Sequence, residues 1–136
     1  MIEAVALTKR YGAKLALNGV SFSVAANEVV GLLGLNGAGK TTTMNILAGY
    51  LGASSGTARI AGYDVVENSM EARKLVGYLP EQPPLYLDMT VEEYLRFVFR
   101  LYRLGGSMSQ RIARVSELTG IADVRGRLIR NLSKGY

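Results

Sequence analysis

Cysteine, histidine and tryptophan are absent from this 136-residue chain, and proline occurs only three times. Without cysteine there is no disulfide framework and no thiolate nucleophile. Without histidine there is no imidazole triad or proton shuttle, and zinc clusters are excluded with both. Any metal must be held by oxygen ligands. Long apolar runs are missing too: the longest, Val29 to Leu35 counting its glycines, has seven residues, against about 20 for a helix crossing a bilayer. A secretory leader is not expected, because Glu3 lies at the very start and the basic pair Lys9-Arg10 follows the short apolar stretch instead of preceding it. The cytoplasm is the expected compartment. What the chain does have, 49% hydrophobic and 20% charged residues, excludes an open disordered polymer and fits one packed domain.

Acidic residues are scarce in one part only. Residues 1–95 hold seven basic and nine acidic side chains, whereas residues 96–136 hold nine basic and two acidic. The second stretch is either a solvated helical surface with surplus arginine or a docking surface for an acidic or membrane-associated partner.

Periodicity places the elements. Ile2 to Arg10 and Leu15 to Val24 alternate apolar and polar residues as half-buried strands do. Glu28 to Leu33 is a short apolar run that predicts a central parallel strand buried on both faces. It feeds a glycine-rich loop, after which Thr41 to Tyr50 predicts a helix stopped by Gly49 and Gly52. Gly56 to Gly62 reads as a strand, Glu67 to Leu75 as a short polar helix, and Val76 to Leu79 as a further strand ended by Pro80. Thr90-Val91-Glu92-Glu93 is a capping box and opens a helix with apolar residues at Val91, Tyr94, Leu95, Val98, Leu101 and Tyr102. Ser107 with Gln110 predicts a second box, opening a helix with Ile112, Val115 and Leu118 inward.

Gly34-Leu35-Asn36-Gly37-Ala38-Gly39-Lys40-Thr41 matches G-x-x-x-x-G-K-[ST], the P-loop pattern. With this chain's glycine, lysine, serine and threonine content, a chance match has a probability of about one in a hundred, before the flanking strand and helix are counted. The residue types follow from the ligand. A triphosphate must be desolvated without a clutter of side chains, so glycines let the backbone close in and turn its N–H groups inward. The helix that follows adds its positive end. Lys40 is expected between the β- and γ-phosphates, Thr41 on Mg²⁺ through its hydroxyl, and Thr42 on the α-phosphate. Asn36 and Ala38 complete the expected phosphate-binding loop.

With the P-loop in place, three further stretches make the chain resemble an ATP-binding subunit of ABC transporters, in the subgroup of ABC-2 type exporters and gliding-motility-like ATPases. Leu7 to Gly12 followed by Ala16 to Phe22 is similar to the start of that family, and the resemblance implies that Tyr11 stacks on adenine. Gly77 to Tyr86 followed by Met89 to Leu95 resembles the family's Q-loop and the entry to its helical subdomain. Asn131-Leu132-Ser133-Lys134-Gly135-Tyr136 is similar to the opening of the family signature. There the resemblance implies that Ser133 and Gly135 reach the γ-phosphate of ATP held by a partner subunit. One departure stands out: the family usually has Gln directly after the Q-loop proline, and here Glu81 holds that place with Gln82 one position later. A carboxylate also ligates Mg²⁺, so Glu81 is carried over as a metal ligand and both residues as catalytic candidates beside Lys40.

The resemblance implies an α/β P-loop NTPase fold with a leading antiparallel β portion. A nucleotide-binding part is expected over residues 1–89 and the start of a helical subdomain over 90–136. ATP and Mg²⁺ are the expected cofactors. A second ATPase subunit and a membrane permease are the expected partners, holding the protein to the inner face of the membrane; no nucleic acid is expected. The aspartates are Asp64, Asp88 and Asp123. None follows four apolar residues, as the Mg²⁺-holding acid of such enzymes does. The chain is therefore read as the N-terminal part of a longer protein, binding ATP without efficient turnover. Two alternatives remain: a P-loop kinase, which does not account for the start or the Leu-Ser-Lys-Gly stretch, and a soluble ABC protein acting on nucleic acid or the ribosome.

Overall fold

The structure, a computed structural model, describes residues 1–133 and divides into two compact units, Met1–Leu79 and Pro80–Tyr136. In the first unit, β1 (Ile2–Tyr11) and β2 (Lys14–Val24) form a long antiparallel hairpin, as their alternation predicts, with Ile2 opposite Val24 and Tyr11 opposite Lys14. The hairpin bulges at Ala6, which has φ 48° and donates its N–H to Ser21 Oγ at 2.8 Å. After α1 (Lys40–Leu47), β3 (Ser55–Ile60) adds to the other side of β1, and β4 (Tyr63–Asp64) closes the order β2-β1-β3-β4. The short α2 (Ser69–Lys74) follows.

One face of this sheet carries the core. Ala4, Leu7, Leu17, Ala58 and Ile60 from the strands meet Ile46 and Leu47 of α1 and Ala72 of α2. Leu7 and Ile46 are fully buried, and burial of side chains of this size is worth about 1.5–3 kcal/mol each. This packing fixes α1, and with it the end of the phosphate loop, against β2.

Two predicted strands are not found. Residues 28–33 and 76–79 form no strand and pair with nothing among the described residues, and every pairing in the sheet is antiparallel. The run expected to be buried on both faces is exposed instead: Val29 is 99% and Leu33 92% accessible. The reason is physical. Apolar, β-branched sequence sets the backbone extended, but a strand exists only when a neighbour supplies ladder hydrogen bonds.

In the second unit, α3 (Val91–Leu101) and α4 (Met108–Leu118) precede two 3₁₀ turns, Ala122–Val124 and Ile129–Asn131. The Thr90 capping box is formed in full: Thr90 Oγ1 accepts from Glu93 N–H, and the Glu93 carboxylate accepts from Thr90 N–H at 2.8 Å. The second box is only half formed. Gln110 N–H reaches Ser107 Oγ at 3.5 Å, and the Ser107 hydroxyl also lies 3.1 Å from that of Ser109. Helix α4 is rotated from the expected face: Ile112 and Ser116 are buried, while Val115 and Leu118 are exposed. Ser116 can be buried because its hydroxyl donates to Ile112 C=O at 2.7 Å, which removes the cost of an unpaired polar group.

Candidate nucleotide-binding site

The phosphate loop begins at Gly34 and enters α1 at Lys40. Gly37 (φ 84°) and Gly39 (φ 90°) are left-handed, a conformation that costs any residue with a Cβ about 1–2 kcal/mol. Gly39 has a second reason to be glycine, since a Cβ there would lie 2.6 Å from Ala16 C=O and against the Leu17 side chain. The hairpin end is thus in contact with the loop. Tyr11 belongs to that same end, opposite Lys14 in the register. Its ring is half exposed, and the Lys9 ammonium stands 5.4 Å from its centre.

The N-terminus of α1 is open. Its cap residue, Gly39, has no side chain, and no acidic residue lies in the first turn. Thr43 N–H is the first to close on the loop, donating to Gly39 C=O at 2.9 Å. The amides of Lys40, Thr41 and Thr42 have no backbone acceptor among the described residues. Helix α3 is the opposite case. Its first amides are taken by Arg127 C=O (3.1 Å from Val91 N), Arg125 C=O (3.0 Å from Glu92 N) and the Thr90 hydroxyl. A helix start with free amides and positive partial charge suits an anion, and only α1 of these two keeps it free.

Side chains complete the arrangement. The Lys40 ammonium donates to Gly34 C=O at 2.7 Å and to Leu35 C=O at 2.8 Å, so one of its three protons remains for a ligand. Of three consecutive threonines, Thr43 is buried and donates to Gly39 C=O at 3.0 Å. The hydroxyls of Thr41 and Thr42 make no hydrogen bond among the described residues, and Thr41 is exposed. These are the features a phosphate and a hard cation need: free amides, a tethered cation and a free hydroxyl oxygen. Among the described residues no cluster of three or more acidic side chains could hold a metal alone.

The first unit holds Gly34, Asn36, Gly37, Ala38, Gly39, Lys40, Thr41 and Thr42 in the loop and the first turn of α1, and Tyr11 at the end of the hairpin whose Ala16 and Leu17 border Gly39. Glu81, Gln82 and Ser133 lie in the second unit and are exposed; Gly135 lies outside the described residues. Sequence reasoning missed two contacts that hold the loop's support in place. Tyr78 donates its hydroxyl to Asn45 Oδ1 at 2.9 Å and packs 5.5 Å from the Tyr50 ring, while Arg73 donates to Gly49 C=O at 2.8 Å. No local signal marks them, since 33 and 24 residues separate the partners.

Fold and loop together define a P-loop nucleotide-binding protein. Comparison with known proteins narrows this. The ABC transporter family matches residues 17–136, and the chain belongs to that family. It is 39% identical, over its whole length, to the probable multidrug ABC transporter ATP-binding protein YbhF of Escherichia coli (strain K12), spanning 24% of that protein. It is 40% identical to the uncharacterized ABC transporter ATP-binding protein YxlF of Bacillus subtilis (strain 168), over 99% of the chain and 44% of the relative. A solved ATP-binding subunit of an ABC transporter superposes with a TM-score of 0.82 at 31% identity, covering 98% of this chain and 56% of that one. The chain thus spans well under two thirds of these proteins' lengths.

Proposed function

We propose that this chain is the nucleotide-binding part of an ATP-driven exporter, in which ATP binding and hydrolysis are coupled to a membrane permease. The observation that carries the reading is the open start of α1 behind two left-handed glycines, with the Lys40 ammonium held at the loop. The glycines, Asn36 and Ala38 wrap the phosphates, and the amides of α1 meet the anion. Lys40 places its free proton between the β- and γ-phosphates, Thr42 binds the α-phosphate, and Tyr11 stacks on the adenine. Thr41 would hold Mg²⁺ through its hydroxyl, and the ion would neutralise phosphate charge; in the second unit Glu81, whose carboxylate is also a Mg²⁺ ligand by its chemistry, and Gln82 are the Q-loop candidates. Ser133 and Gly135 contact ATP on a second ATPase subunit. Tyr86, packed edge-on against Tyr94 and Phe97 in the second unit, belongs to the permease-docking surface.

Support for export comes from related proteins, among them a Nod factor export ATP-binding protein of Burkholderia orbicola (strain AU 1054), 48% identical over 94 residues. Calorimetric titration with Mg-ATP tests the site. Lys40→Ala should weaken ATP binding about tenfold or more, the loss of a charge-assisted contact. Tyr11→Ala should weaken ATP but spare pyrophosphate. Equal affinity of wild type and Lys40→Ala would remove the assignment.

A further inference from the structure

The turn joining α3 to α4 is the part of the second unit that the nucleotide chemistry leaves unused. Residues 94–116 contain five arginines and no acidic side chain. All five (Arg96, Arg100, Arg103, Arg111 and Arg114) are exposed, and so is every residue from 100 to 107. Arg96 is paired with Glu92 at 2.7 Å; the other four make no ion pair among the described residues. Between the arginines the turn offers apolar surface: Leu101 is 63% and Tyr102 71% accessible, and Leu104 is exposed as well. Arg103 is left-handed (φ 49°) where the helix ends, so the chain reverses there with Leu, Tyr, Arg and Leu in succession.

We propose that this turn rests on the headgroup layer of an anionic bilayer. Arg100 and Arg103 would lie among lipid phosphates, with Leu101, Tyr102 and Leu104 at the depth of the headgroups. Each component has its physical reason. Guanidinium groups bind phosphate in two-pronged fashion. Tyrosine suits a boundary that is apolar on one side and wet on the other. The long arginine stems let the charge stay in water while the aliphatic residues dip. A nucleic-acid backbone would use the arginines but has no place for Leu101 and Leu104. A folded acidic protein would need carboxylates fixed opposite guanidiniums spread over two helices, whereas lipid headgroups rearrange to meet them. Since no helix of the described residues is long and apolar enough to cross a membrane, contact would be with the surface. The inference does not depend on nucleotide binding.

Flotation of the 136-residue chain with vesicles decides it. The chain should float with mixed phosphatidylcholine–phosphatidylglycerol vesicles at low salt. It should stay behind with pure phosphatidylcholine, and be released in about 1 M salt, where the Debye length is about 3 Å. The double variant Arg100→Gln, Arg103→Gln should lower partition about 25-fold, taking roughly a factor of five for each basic residue near an anionic leaflet. Its helical circular dichroism and ATP affinity should not change. Tyr102→Ser should lower partition several-fold and keep the salt dependence. Equal partition into neutral vesicles, or none into anionic ones, would overturn the proposal. So would partition that ignores the arginine substitutions. Partition unchanged in Tyr102→Ser with Leu101→Ser would show that charge alone holds the chain to the vesicle and that the apolar residues do not enter the headgroup layer, and would overturn it as well.

Discussion

Gly39 meets two constraints at once, a left-handed backbone and a neighbouring strand with no room for a Cβ, whereas Gly37 meets only the first: nothing lies within 4 Å of its missing Cβ. Alanine therefore distinguishes them. Gly37→Ala should destabilise the chain by about 1–2 kcal/mol, the left-handed penalty. Gly39→Ala should add a further 1–3 kcal/mol or so of overpacking against Ala16 and Leu17, and should weaken ATP more strongly. Urea unfolding alongside ATP titration measures both; equal costs at the two positions would mean that the Leu17 contact does not constrain the loop. The glycine pattern of this loop was legible in the sequence, as were Lys40 and Thr41, because the motif is contiguous and its chemistry local. The role of Leu17 was not, nor that of Thr43, whose buried hydroxyl fixes Gly39 C=O. The Leu17 contact and the burial of Thr43 depend on how the helix packs against the sheet, which the sequence motif does not carry.

Among the elements, α3 carries the strongest local signal, and its cap forms as the residues predict. Thr90→Ala should cost about 1 kcal/mol in thermal or urea unfolding. The cap is also pH-dependent. Hydrogen bonds from the Thr90 backbone and hydroxyl hold the Glu93 carboxyl below its ordinary pKa, and the bond from Arg96 does the same for Glu92. Both carboxyls bind protons more readily when unfolded. Their contribution is therefore complete above the usual carboxylate range and is lost as pH falls below about 4.5 toward the depressed folded values. Unfolding followed from pH 6 to pH 3 should lose stability in that interval, and Glu93→Gln should flatten the loss; an unchanged profile would show that the cap is not what titrates. The hairpin, β3 and the helices were readable from alternation, caps and glycine stops. The runs at 28–33 and 76–79 were not, since their composition is right for strands and only a partner can make them so. Helix α4 misled in another way: Ser116 rather than Val115 turns inward, because a serine bonded to its own helix is cheap to bury.

For the whole molecule, nucleotide binding should be easier than turnover. Phosphoryl transfer depends on positioned charge, and beyond the phosphate loop the candidates are two exposed residues, Glu81 and Gln82. Phosphate release by the purified chain with Mg-ATP should stay far below about 1 s⁻¹; steady turnover near that rate would show that the chain already holds a competent set of groups. The exposed Val29, Leu33 and Leu35 should also promote self-association at high concentration, which Leu33→Asp should reduce in light scattering. The same run has a consequence in time. Among the described residues no amide from 28 to 35 donates a hydrogen bond, while β2, reaching Gly39 through Ala16 and Leu17, is laddered to β1. Protection against hydrogen exchange comes from such bonds. In deuterated water, labelling should therefore be fast along the approach to the phosphate loop and slow along the strand behind it. The site would have one wall that exchanges with solvent at close to the rate of an open chain and another that exchanges only when the sheet itself opens.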